Sequence, residues 1–170
     1  MQSVPNLSKA IHDKHNEHVL AGQDGCYQCH PGPQTQCLRG VMSNKHQMDC
    51  LDCHGGMEQI KENPNPWLNE PRCDNADCHG SAYQQDQALY RLSKEHGGIY
   101  CAGCHDSPHA IAPGRETNDG IKFMDLQSSY DTLKTCTVCH ATEPSGDGPH
   151  GAGPPFVPDE FFFLPVVSWK

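Results

Sequence analysis

Long apolar runs are missing from this chain of 170 residues, and nothing in it approaches the roughly 18–20 consecutive apolar residues of a membrane-spanning helix. Core-forming side chains are scarce too: Leu, Ile, Val and Phe together make 27 of the 170 residues, about 16%. A share below about 20%, combined with high net charge, ordinarily marks a chain that stays unfolded. The formal charge is −9, and 14 Pro and 16 Gly interrupt most stretches. There is no excess of positive charge, which argues against nucleic acid as a partner. The start, MQSVPNLSKAIHDKH, lacks a basic segment followed by an apolar one, so no secretion signal is visible. A protein working outside the cytoplasm would therefore be represented here by a mature form or by an excised piece. Side chains alone cannot offset the conformational entropy of ordering this polypeptide. Something else must supply its interior.

Two residue types are in excess, with 11 cysteines and 12 histidines. The stretch GCYQCHPG places Cys26 and Cys29 three positions apart with His30 directly behind. The same arrangement recurs as Cys50, Cys53 and His54, as Cys101, Cys104 and His105, and as Cys136, Cys139 and His140. A stretched copy has Cys73, Cys78 and His79, with four residues between its thiols. Ten of the 11 cysteines are used in this way. C-x-x-C-H is the attachment signature of c-type haem. Two thiols add to the porphyrin vinyl groups, and the adjacent histidine is left under the macrocycle where its Nε2 can bind iron. Zinc sites combine cysteine pairs around one tetrahedral ion and need no histidine beside each. A redox dithiol occurs once, near a βαβ pattern that this chain lacks. A disulfide framework explains the cysteines and leaves the fixed histidines unexplained. The expectation is five covalently attached haems, one per 34 residues, providing the missing apolar bulk.

Seven histidines lie outside the motifs: His12, His15, His18, His46, His96, His109 and His150. They are candidates for the second axial position on five irons. In NLSKAIHDKHNEHVLAG, Leu7, Ile11, His15 and Val19 recur at helical spacing and Gly22 reads as a stop. His12 and His15 are neighbours on that surface and can reach two different irons. His96 closes a second helical pattern, DQALYRLSKEHGG, with Leu89 and Leu92 expected to face inward. His109 and His150 sit on Pro/Gly turns, whose stiffness suits a fixed ligand. The expected distal set is His12, His15, His96, His109 and His150, with His46 in reserve and the thioethers of Met48 and Met57 as minor alternatives.

The segments CYQCHPGPQTQCLRG, CLDCHGGM, PWLNEPRC, EHGGIYCAGCHDSPHAIAP and CTVCHATEPSGDGPHG resemble parts of multihaem c-type cytochromes from metal-reducing bacteria and related archaea. The resemblance covers roughly residues 10–153 and all five motifs. It implies bis-histidine, low-potential haems packed in a chain, and electron transfer in the periplasm or outside the cell. It also implies the distal positions His12, His15, His96, His109 and His150. Relatives of this kind include modules of longer chains and subunits of extracellular filaments. The stretched linker between Cys73 and Cys78 departs from the family's usual spacing.

Histidine on both faces leaves no open iron position, so the expected role is an electron carrier and not an enzyme. Motif starts are separated by 24, 23, 28 and 35 residues, which forces neighbouring haems close together. The competing class, a multihaem reductase of a small nitrogen or sulfur oxyanion, would keep one iron open; no C-x-x-C-K is present. Expected partners are redox proteins or extracellular and mineral acceptors. Residues 1–153 are expected to form the pentahaem domain. The tail of residues 154–170, with three consecutive Phe, is expected either to cover a haem edge or to mediate self-association into an oligomer or filament. Cys37, the unused cysteine, reads as a buried thiol or as an intermolecular disulfide. The fold class expected is mostly irregular coil with a few short helices near 7–20, 84–96 and 127–138, minimal β-structure, and each C-x-x-C-H at the end of a helical turn.

Overall fold

The computed structural model describes residues 5–31, 34–63, 65, 68–146 and 148–150. The apolar tail of residues 154–170 lies outside the described residues, and so does its expected contact role. The rest is mostly coil punctuated by short helices: α1 (Leu7–His15), α2 (Gln23–Tyr27), α3 (Val41–Asn44), α4 (Cys50–His54), α5 (Met57–Glu62), α6 (Cys101–His105) and α7 (Ile121–Gln127). Several 3-10 turns join them. β-Structure among the described residues is one antiparallel pair, β1 (Lys94–Glu95) with β2 (Ile99–Tyr100), in the register Lys94↔Tyr100 and Glu95↔Ile99. Among these residues no helix is long and apolar enough to cross a membrane.

The helix expected over 7–20 forms and stops early. Asn6 caps it, its side chain accepting the Lys9 N–H at 2.8 Å. It ends at His15, where the Asn16 side chain turns away to donate to Glu58 at 2.9 Å. The same face is tied to α5 by Lys9 Nζ, which donates to the Lys61 carbonyl at 2.9 Å.

The helix expected over 84–96 does not form. Ser93 is fully buried, and its hydroxyl donates back to the Leu89 carbonyl at 3.0 Å. The Asp86 carboxylate accepts the Lys94 N–H at 2.7 Å, and Glu70 accepts the Tyr90 N–H at 2.8 Å. Side chains thus take the backbone partners a helix would have used. A 3-10 turn (Tyr90–Leu92) and the β1–β2 hairpin result, with Leu89 buried but Leu92 51% exposed and not inward.

The helix expected over 127–138 is replaced by α7, which ends where the sequence reading begins one. Ser128 adopts a left-handed conformation (φ 57°). The Gln127 amide then donates to the carbonyls of Asp131 and Thr132 and accepts the N–H of Lys134 at 3.0 Å, so one side chain organises the following loop.

Buried hydrophobic side chains among the described residues are few: Tyr27, Leu38, Leu89, Tyr90, Ala110, Ala112 and Phe123. Leu7 (75% exposed), Leu20 (60%) and Ile121 (55%) stay uncovered, so the polypeptide buries little apolar surface on itself. Long-range order comes instead from polar clips. Arg39 grips Asp119 through two charge-assisted bonds of 2.6 and 2.8 Å. The N–H groups of Arg39 and Gly40 both donate to the His109 carbonyl (2.8 and 3.1 Å), and that of Val41 to the Ile111 carbonyl (2.8 Å).

Candidate functional site

Two of the short motifs are single helical turns, while the first starts within α2 and runs past its end at Tyr27 and the last opens on a 3-10 turn, Cys136–Val138. α4 runs from Cys50 to His54 and α6 from Cys101 to His105. Asp49 caps α4 in a reciprocal arrangement with Asp52, fixing where that turn starts. In the first and last motifs the histidine N–H donates to the carbonyl of the leading cysteine, His30 to Cys26 at 2.8 Å and His140 to Cys136 at 2.9 Å. The stretched motif keeps the same closure, His79 N–H to the Cys73 carbonyl at 3.2 Å. Its two extra residues are absorbed by a turn built on Asn75, whose carbonyl accepts the N–H of Cys78 (2.9 Å) and of Gly80 (3.0 Å). Arg72 and Asp74, joined by bonds of 2.8 and 2.7 Å, pin the start of that loop. The longer linker therefore returns its second thiol and its histidine to the place the short motifs give them.

The residue after the motif histidine turns the chain sharply in three cases: Gly55 (φ 71°), Gly80 (φ 71°) and Asp106 (φ 69°). Glycine adopts this conformation without penalty. Asp106 holds it with its own carboxylate accepting the Ser107 N–H at 2.9 Å.

The motif histidines face histidines from elsewhere in the chain. His30 stacks on His12, ring centroids 6.0 Å apart and planes 11° from parallel. His54 lies 6.0 Å from His109, and His105 lies 5.9 Å from His150. His140 and His96 approach to 3.4 Å between their Nε2 atoms, His96 being presented at the hairpin tip by three successive left-handed residues, His96, Gly97 and Gly98. His79 has Tyr83 at 5.6 Å, and both His46 and His150 act on it electrostatically. Tyr83 also lies 5.2 Å from His150, so it sits between two of the pairs; nothing in the sequence signals it.

Of the expected distal set, His12, His96, His109 and His150 are brought opposite motif histidines. His15 is not: it is exposed, and its Nδ1 donates to the Ile11 carbonyl of its own helix at 2.8 Å. His18 is exposed as well. His46, the reserve, acts on His79 electrostatically, though less than His150 does.

Burial disfavours the charged form of six of these imidazoles. Desolvation is the first cause of the lowered pKa of His46, His54, His79, His109 and His150, and His105 falls to about 4. Neighbouring histidines lower His54, His79 and His105 further. A neutral imidazole is the form that binds a metal. The thiols move the other way. Desolvation raises Cys50 and Cys53 to about 11 and also raises Cys73, Cys78, Cys101 and Cys104. Redox-active dithiols require the opposite, a lowered thiol pKa.

Ligand geometry separates the remaining metal readings. All 11 cysteines are unbridged, and among the described residues no three His, Cys, Asp or Glu side chains converge on one point. A zinc site needs three or four such ligands. Two facing imidazoles with no third protein ligand suit an ion whose other four positions are filled by a macrocycle. At four motifs the residues present fit haem, with paired thiols, a motif histidine behind them and a second histidine ring opposite; at the stretched motif His79 has the Tyr83 ring at 5.6 Å.

The motifs also neighbour one another in chain order. α2 packs on α4, and the Cys50 thiol interacts with Cys26 and Tyr27. Cys53 senses Cys78 and Cys73, Cys73 senses Cys101, and Cys104 senses Cys139. The loop before the last motif is tied back to the fourth by the Leu133 N–H, which donates to the Cys104 carbonyl at 3.0 Å. Comparison with protein-family models, with curated proteins and with solved structures gives no match for this chain.

Proposed function

We propose that this chain is a pentahaem c-type cytochrome that transfers electrons. The observation carrying the proposal is the set of four facing pairs, in which His30, His54, His105 and His140 each have a non-motif histidine ring within 6.0 Å. Cys26 and Cys29, Cys50 and Cys53, Cys73 and Cys78, Cys101 and Cys104, and Cys136 and Cys139 hold the macrocycles as thioethers. His30, His54, His79, His105 and His140 are the proximal ligands. His12, His46, His150, His109 and His96 supply the distal ones, in the pairs 30–12, 54–109, 79–46, 105–150 and 140–96. When bound, the haems supply one-electron redox chemistry, at the low potentials that two imidazole ligands favour.

The polypeptide's part is positional. Helical turns position thiols and proximal imidazoles, and desolvation disfavours the charged form of His46, His54, His79, His105, His109 and His150. The clips at Arg39 and at the hairpin tip deliver His109 and His96 to their partners. Because the motifs neighbour in chain order, the haem order in space follows the sequence. The pairing leaves no axial position open, which favours a carrier over a reductase. Function outside the cytoplasm, acceptors among redox proteins or minerals, and self-association through residues 154–170 belong to the same proposal. Shortening the chain after Pro158 should convert an oligomer to a monomer if the tail mediates assembly.

Expression in a host competent for cytochrome c maturation tests the core of this reading. Mass spectrometry should find five haem adducts, a pyridine haemochrome assay five haems per chain, and the reduced protein should not bind carbon monoxide. A polypeptide without adducts, or carrying zinc in their place, overturns it.

A further inference from the structure

Eleven cysteines leave one unused by the five motifs, and that one, Cys37, lies against a distal ligand: its Sγ is 3.2 Å from His109 Nδ1. The contact is built from both sides. Cys37 precedes the segment Arg39–Gly40–Val41, whose N–H groups donate to the carbonyls of His109 and Ile111 at 2.8–3.1 Å. Asp119 holds Arg39 in place by its paired bonds of 2.6 and 2.8 Å, and Ser107 steadies the other strand by accepting the His109 N–H at 3.4 Å. Residues 37 and 109 are thus fixed relative to each other by backbone and not by the side-chain contact alone.

An imidazole that binds iron through Nε2 carries its proton on Nδ1, so His109 must donate to whatever faces Nδ1. Such outer partners set ring orientation and ligand basicity. The distal histidines differ in this respect. His12 Nδ1 donates to the Ser8 carbonyl at 2.9 Å, a good acceptor. Buried His150 Nδ1 has no hydrogen-bond partner. His109 has sulfur, a weak acceptor.

We infer that Cys37 is a positioning residue for His109, and that its sulfur sets the orientation and donor strength of the ligand opposite His54. This rests on the haem reading above and adds to it a residue that lies outside every attachment motif. A weak acceptor withdraws little from the Nδ1–H bond, so His109 pushes less electron density onto its iron than His12 does onto its own. The haem held by Cys50 and Cys53 accordingly has a higher potential than the one held by Cys26 and Cys29, other influences being equal.

The test is a spectroelectrochemical titration, with electron paramagnetic resonance, of the full haem-loaded chain and of three variants. Cys37→Asp places a strong acceptor on Nδ1 and should shift one of the five midpoints to lower potential. Cys37→Ala removes the acceptor, and should shift the same midpoint upward and alter one low-spin signal as the ring is freed. Cys37→Ser, which keeps an acceptor, should restore the wild-type signal in large part. Five haems per chain with midpoints and signals superimposable on wild type in both the Asp and Ala variants overturn the assignment while leaving the haem reading intact. A wild-type chain without covalent haem overturns that reading first.

Discussion

Replacing Gly40 with alanine should open one haem of five. A Cβ at this position would stand 2.4 Å from the Ile111 nitrogen, 2.7 Å from its oxygen and 2.8 Å from the Ala110 carbonyl carbon. All three are backbone atoms, which cannot swing aside as a side-chain end can. Ordinary contact begins near 3.4 Å, so the two strands must separate by about 1 Å. Three hydrogen bonds join them here, from Arg39 and Gly40 to the His109 carbonyl and from Val41 to the Ile111 carbonyl. At a net value of about 1 kcal/mol each, their loss costs about 3 kcal/mol. That corresponds to roughly a hundredfold shift toward the parted arrangement. His109 rides on the displaced strand and should withdraw from His54, while Cys50 and Cys53 keep their thioether bonds. The assay is carbon monoxide binding to the dithionite-reduced protein. Gly40→Ala should bind close to one equivalent and show one high-spin signal in the ferric state, with haem content unchanged at five. Gly146→Ala, whose Cβ would meet nothing within 4 Å, serves as the control and should bind none. A Gly40→Ala protein with five haems and no carbon monoxide binding would refute the reasoning.

Other outcomes follow from the same geometry. His46→Ala should create one carbon monoxide-binding haem and His15→Ala none; the reverse pattern would return His15 to the distal set. Stability is read by circular dichroism in the Soret region during urea titration. Asp106→Ala should lose about 1–2 kcal/mol, because alanine keeps the left-handed strain at φ 69° without the carboxylate that satisfies Ser107. Asp106→Gly should stay within about 1 kcal/mol of wild type in the same assay.

The motifs were legible because their spacing, which the proposed attachment chemistry would require, is written directly into the chain. Cys50-Leu-Asp-Cys53-His54 makes one turn whatever surrounds it, and α4 spans those residues. The coil-rich class followed from the shortage of core formers. Helix positions were less legible, and the reason is specific. Leu89 and Leu92 are spaced for a helix, but buried Ser93 and the acceptors Asp86 and Glu70 divert the backbone bonds that a helix needs. Spacing cannot show that competition. At 127–138 the sequence offers Leu133 and Val138 without revealing that Gln127 will bind four backbone groups across the next eight residues. Distal partners were harder still. His15 and His12 look equivalent on a helical wheel, yet only His12 lies over a motif histidine. His46 has no local pattern to commend it, and its electrostatic influence on His79 comes from the path of the chain between distant segments.

The facing pairs have a topological consequence. With haem bound as proposed, each pair would tie two remote points of the chain into a ring: 46 to 79, 54 to 109, 96 to 140 and 105 to 150. These four rings overlap in sequence, so no one of them can be let go without loosening another. The ring from 12 to 30 overlaps none of them. Closing long loops removes freedom chiefly from the denatured chain, and interlocked closures do so jointly. Residues 46–150 should therefore melt as a single cooperative block, with the N-terminal ring held to it by the contacts of α1 with α5 and of α2 with α4.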